Sequence, residues 1–190
     1  MFLLATANNF EERGVPFLCL KSTVDTRDGA GMIHSRIIPQ RACIMVSPDT
    51  NIYSMICYHL ADAQVRGEER LQWILVDEAQ FLNTTQVDDL ARICDDLDIA
   101  VMCYGLRTDF QTQLFPGSKR LFELADSVEE IKSTCHCGNK NSVNARINEK
   151  GEVVLDGEQV LIGGEDRYVA MCRKCYNKRK QFTRENPKLF

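Results

Sequence analysis

The sequence predicts an α/β protein: a doubly wound, mostly parallel sheet followed by a small, metal-stapled β-rich subdomain. Three observations predict it. Trp73-Ile-Leu-Val-Asp77-Glu78 is an apolar run ending in two carboxylates, the pattern of a strand buried on both faces. Short apolar runs alternate with helical periods through residues 1–104, as crossover connections between parallel strands require. Beyond Asp126 the segments shorten and alternate, and two cysteine pairs bracket them.

Along the chain, Phe2, Leu3, Ala7 and Phe10 repeat near helical spacing until Gly14-Val-Pro16 stops the pattern. Phe17-Leu-Cys-Leu20 reads as a short buried strand, and Asp25-Thr-Arg27-Asp-Gly-Ala-Gly31 as a polar loop. A second strand is expected at Ala42–Val46. A helix follows over 51–65, with Ile52, Met55, Ile56, His59 and Leu60 on one face. After the strand at 73–77, Thr84 or Thr85 can cap a helix to about Leu97, with Asp88 and Asp89 near its first turn. Its core stripe is Val87, Leu90, Ile93 or Cys94, and Leu97. Ile99–Tyr104 is a further buried strand. The alternating segments after Asp126 are Val128–Lys132, Val143–Ile147, Val153–Leu155 and Tyr168–Met171. The expected division is an α/β domain over 1–130, a metal subdomain over 131–176 and a polar, basic tail over 177–190. The tail is read as a solvated helix end or frayed terminus.

Composition narrows the function. A net charge of −4 gives no general attraction for nucleic acid, and acidic residues such as Glu149, Glu152, Glu158 and Glu165 crowd the cysteine-rich region. No apolar run approaches the roughly eighteen residues of a membrane span. The first residues lack a basic n-region. Five of the nine cysteines sit singly in apolar segments, as small hydrophobes do. The other four are paired: Cys172 and Cys175 have the usual two-residue spacing of a zinc knuckle, Cys135 and Cys137 a tighter one, and together they suit tetrahedral zinc in a reducing, cytosolic compartment. Four thiolates leave zinc no open position, so that zinc is structural. His136 is left out, because adjacent residues seldom aim at one ion.

Asp77 and Glu78 lie where open α/β sheets bind ligands, at the carboxyl end of a strand. In nucleoside-triphosphate enzymes the first acid of such a pair holds Mg²⁺ and a neighbouring carboxylate can take a proton. A solvated turn is the plain alternative.

Taken in order, Asn9-Phe-Glu-Glu-Arg-Gly14, Asp25-Thr-Arg27, Asp77-Glu-Ala-Gln-Phe81, Tyr104-Gly-Leu-Arg-Thr-Asp-Phe110, the cysteine pairs and Ile162-Gly-Gly-Glu-Asp-Arg-Tyr168 resemble the zinc-containing thymidine kinases of bacteria and animal cytosol. The resemblance covers essentially the whole chain. It implies a P-loop-type nucleotide-binding domain over 1–130 and transfer of the ATP γ-phosphoryl to the 5′-hydroxyl of thymidine. Glu78 matches the general base, and a glutamate carboxylate is ionised at neutral pH. Asp77, Ala79 and Gln80 match the ATP–Mg²⁺ side of the site. Arg27 matches a residue that stabilises the phosphoryl group in flight; read alone, it would pair with Asp25 or Asp28. Leu106, Phe110 and Phe115 match positions around thymine. Ile162, Gly163 and Gly164 match the lasso that reads the nucleoside through its backbone, and Tyr168 lies close to it. The resemblance further implies a homotetramer, feedback inhibition by dTTP, and a lasso that closes over the nucleoside, held at its base by zinc.

One departure stands out. The phosphate loop G-x-x-x-x-G-K-[ST] occurs nowhere in residues 1–190. A strand and loop of roughly fifteen to twenty residues would precede the first helix. The chain is therefore expected to be N-terminally truncated, with its sheet missing an interior strand. Alone it would be inactive or unstable, and upstream codons in frame should rescue it. The alternative is a non-catalytic, nucleoside-binding or regulatory remnant.

Overall fold

The computed structural model describes residues 2–24, 31–34, 39–131, 133–160 and 167–185. They fall into two compact units, one of residues 1–106 with 116–125 and one of 107–115 with 126–190.

The first unit is the predicted α/β layer. Helix α1 (Phe2–Glu12) leads into β1 (Phe17–Ser22). Two strands of two residues each, β2 (Met32–Ile33) and β3 (Arg41–Ala42), pair antiparallel, and β4 (Ile44–Val46) follows. The strand expected at Ala42–Val46 is thus broken at Cys43, whose N–H turns aside to Gly31 O at 2.9 Å. Helix α2 (Ile52–Arg66), β5 (Trp73–Asp77), a 3₁₀ turn (Ala79–Phe81), α3 (Thr84–Leu97) and β6 (Ala100–Cys103) continue the alternation. The sheet order is β4-β1-β5-β6 and every pairing in it is parallel. Ile74, Leu75 and Val76 are fully buried, as the apolar run of β5 requires. β6 forms one edge of this sheet, with Met102 36% exposed.

Helix ends explain the connections. Asn51 caps α2 by accepting from Ser54 N–H at 2.7 Å. Gly67 ends that helix in the left-handed region, at φ 69°. The cap of α3 lies one residue before the nearer expected one: Asn83, not Thr84 or Thr85, forms a reciprocal capping box with Gln86. Asp89 is not a dipole partner at the surface. It is 4% exposed and accepts from the first-turn N–H groups of Ile52 and Tyr53, which ties α3 to the start of α2. Val87, Leu90 and Ile93 face the core while Cys94 is exposed, so the stripe runs through Ile93. Helix α4 (Pro116–Leu124) had no counterpart in the periodicity; Pro116 at its first position pre-sets the helical φ.

In the second unit β7 (Val143–Ile147) pairs antiparallel with β8 (Arg167–Met171). Val153 bridges to Ile147 without forming a strand. Val128–Ile131 forms no strand either, and Val128 and Ile131 are exposed. α5 (Arg173–Glu185) carries the polar tail as a regular helix through Glu185, the helix-end alternative and not the frayed one. Its anchor is Tyr176, 3% exposed, whose hydroxyl donates to Phe110 O at 2.9 Å. No helix among the described residues is long and apolar enough to cross a membrane.

Candidate functional site

The carboxylate pair emerges at the carboxyl end of β5. Asp77 still belongs to the strand and pairs in register with Lys21 of β1. Glu78 leaves it in the left-handed region, at φ 50° and ψ 41°, before the 3₁₀ turn. For a non-glycine residue that conformation costs about 1–3 kcal/mol, and such strain persists where the surroundings over-determine it. Here they do. Ala79 N–H donates to Tyr104 O at 2.9 Å, pinning the turn to the end of β6. The buried Gln80 donates to Glu78 Oε2 at 2.5 Å, and its own Oε1 accepts from Leu106 N–H at 3.0 Å.

Two glycines allow this closeness. A Cβ on Gly105 would lie 2.5 Å from Gln80 Oε1. A Cβ on Gly117, in α4, would lie 2.4 Å from Leu82 O, 2.9 Å from Ala79 O and 3.0 Å from Gln80 O. Those are backbone atoms of the turn itself, so α4 must move or the turn must. Gly117→Ala is expected to lower unfolding stability by about 1–3 kcal/mol, measured by denaturant titration. An unchanged midpoint would show that α4 shifts freely.

Electrostatics distinguish the two acids. Burial raises the Asp77 carboxyl above its usual 3.8, the neighbouring Glu78 charge raises it further, and Lys21 pulls it back. Lys21 is fully buried, and a lysine closing an apolar strand was the missed signal for it. Because the folded-state value is raised, the native protein holds this proton after the unfolded chain has lost it. Stability from this group is therefore full below the ordinary aspartate range and falls as pH rises through the higher native value. In Mg²⁺-free buffer, Asp77→Asn is expected to melt at or above the parent at neutral pH, with the gap closing in acid. A lower melting temperature at neutral pH would mean that attraction to Lys21 outweighs burial.

In the second unit, Phe110 is 1% and Phe115 5% exposed, while Tyr168 is 47% exposed. Leu106, in the first unit, is 41% exposed. Asp109 organises the loop beside Phe110: its Oδ1 accepts from Gln111 and Gln113 N–H, and Oδ2 from the Gln159 side chain, each at 2.9 Å. Arg27 and Ile162, Gly163 and Gly164 lie outside the described residues.

Cys135, Cys137, Cys172 and Cys175 come together, their sulfurs all within 4.8 Å of one another. Cys137 Sγ and Cys172 Sγ are 3.6 Å apart. Sulfurs bound tetrahedrally at about 2.3 Å from one zinc ion are about 3.8 Å apart, so the set fits that ion. The charges fit too. Backbone N–H groups lower Cys135 and Cys137, the latter to about 6, whereas the sulfurs of Cys137 and Cys172 push Cys175 up to about 12. A divalent cation removes that conflict and lets the last thiol ionise.

The comparisons with known proteins follow the same lines. A family model described as thymidine kinase matches residues 1–176. The thymidine kinase of Mannheimia succiniciproducens is 46% identical over 171 residues, covering 90% of this chain and 85% of that protein. That of Rhodopirellula baltica is 45% identical over 174 residues, covering 90% and 78%. That of Streptococcus pyogenes serotype M3 is 44% identical over 175 residues, covering 92% and 88%.

Proposed function

This chain belongs to the thymidine kinase family, a family of phosphotransferases, and on that premise we propose that Glu78 is the base in transfer of the ATP γ-phosphoryl to the 5′-hydroxyl of thymidine. The observation that carries the reading is the strained Glu78, held at the carboxyl end of β5 by Gln80 and preceded by Asp77. A carboxylate fixed in one direction removes a proton from an aligned hydroxyl with little reorganisation. Asp77 holds Mg²⁺, which when bound offsets the charge of the phosphate oxygens. Ala79 and Gln80 form the turn that keeps the two acids on the ATP side. Arg27 donates to the phosphoryl oxygens, as a guanidinium fork is suited to do.

On the same reading Leu106, Phe110, Phe115, Ile162, Gly163, Gly164 and Tyr168 are the residues that recognise the nucleoside. Zinc on the four cysteines is structural and holds the base of that segment. The same reading makes the working form a cytoplasmic homotetramer in DNA-precursor salvage, inhibited by dTTP. Calorimetry with thymidine, deoxycytidine and deoxyadenosine tests the substrate class. Binding confined to thymidine and its close analogues is expected, and equal or absent binding of all three would overturn the reading.

A further inference from the structure

Arg146 lies on β7 directly opposite Tyr168 of β8, in an antiparallel pair. Alternation along Val143-Asn-Ala-Arg-Ile147 would turn an arginine outward, yet Arg146 is only 2% exposed. Burying a guanidinium carries a large desolvation cost unless its surroundings answer it. Here Nε and Nη2 donate to Tyr168 Oη at 3.1 and 2.8 Å, and Nη2 also donates to Glu158 O at 3.0 Å. The same guanidinium carbon sits 4.0 Å from the centre of the Phe110 ring, within cation–π range. One side chain therefore touches two of the three aromatics read as nucleoside-binding, Phe110 and Tyr168, and all three of these residues belong to one unit.

A phenol group is one O–H donor and one acceptor oxygen. Two N–H groups of Arg146 are directed at the Tyr168 oxygen and take up its acceptor role. What remains is the O–H, on a residue that is 47% exposed. We propose that Arg146 is a positioning and specificity-determining residue, which commits Tyr168 to donating its O–H to an acceptor oxygen of the nucleoside while holding one face of Phe110. The ligand group it selects is a carbonyl or ring oxygen, not an N–H donor. This rests on the reading of Phe110 and Tyr168 as nucleoside-binding residues.

The test is a double-mutant cycle of Arg146→Met and Tyr168→Phe, with thymidine affinity read by calorimetry and the KM values for thymidine and ATP measured in parallel. Each single change is expected to weaken thymidine about tenfold or more, leave KM for ATP within about twofold, and give a double variant no weaker than the worse single one. Arg146→Lys keeps the charge but lacks the planar fork, so it should weaken thymidine as well. Melting temperature and zinc content of each variant gauge folding. If Arg146→Met does not fold, Arg146→Lys decides: unchanged thymidine KM overturns the inference. Parent-like affinity in folded Arg146→Met, or fully additive losses, overturns it too. A parent protein that binds no thymidine fails at the earlier step, the nucleoside-site reading itself.

Discussion

Glu78→Gln is expected to lower kcat for thymidine phosphorylation by about 10²–10⁴-fold while thymidine affinity stays within a few-fold. The substitution keeps the size of the side chain and leaves an oxygen for Gln80 to bond, so the geometry at the end of β5 should survive. What it removes is a site for the hydroxyl proton. A loss confined to kcat is the signature of an interaction made in the transition state. Equal loss in kcat and in thymidine binding would instead make Glu78 a ligand contact.

Removing zinc is expected to unfold the second unit. Structural zinc contributes about 10–16 kcal/mol of apparent binding energy, comparable to or larger than the whole stability of an ordinary domain. The unit has little to set against that loss. Its buried cluster is Cys135, Val143, Ala145, Val153, Met171, Cys172 and Tyr176, so two of the metal ligands are themselves part of the core. Chelation, or Cys172→Ser, should therefore abolish hydrogen-exchange protection across β7, β8 and the start of α5 and reduce thymidine affinity at least about tenfold. Returning zinc should restore both in the parent and not in the variant. Unchanged protection in the zinc-free protein would show that the unit's core suffices without metal.

Much of this was legible because it rests on patterns the backbone imposes. An apolar run ending in acids reads as a buried strand with its charges at the tip, and β5 is that. Two cysteine pairs, four thiols in all, announced the metal cluster even though Cys135 and Cys137 are spaced more tightly than usual. The less legible parts depend on tertiary context. Lys21 and Arg146 are polar residues that the pleat or the strand end would send toward water; their burial follows from neighbours distant in sequence, Asp77 for one and Phe110 for the other. Asn83 was legible as half of an Asn-x-x-Gln capping box, but two adjacent threonines competed for the same role. Of the helix end and the frayed terminus that the tail sequence left open, Tyr176 decides for helix: it buries its ring and bonds to Phe110 O, an interaction no local period encodes. Gly105 reads only as the end of the strand before it, and Gly117 carries no signal of its own, until the turn after Asp77 is built against them.

The most direct test of the central claim is transfer of label from γ-³²P-ATP to thymidine, by protein expressed with any codons that precede Met1 and purified from a host lacking its own thymidine kinase. Parent protein is expected to yield labelled dTMP in the presence of Mg²⁺, and Glu78→Gln protein to bind thymidine while yielding almost none. Labelled product at parental rates from Glu78→Gln would contradict the assignment of the base. Thymidine binding with no labelled product from the parent would make the chain a nucleoside-binding protein and not a kinase.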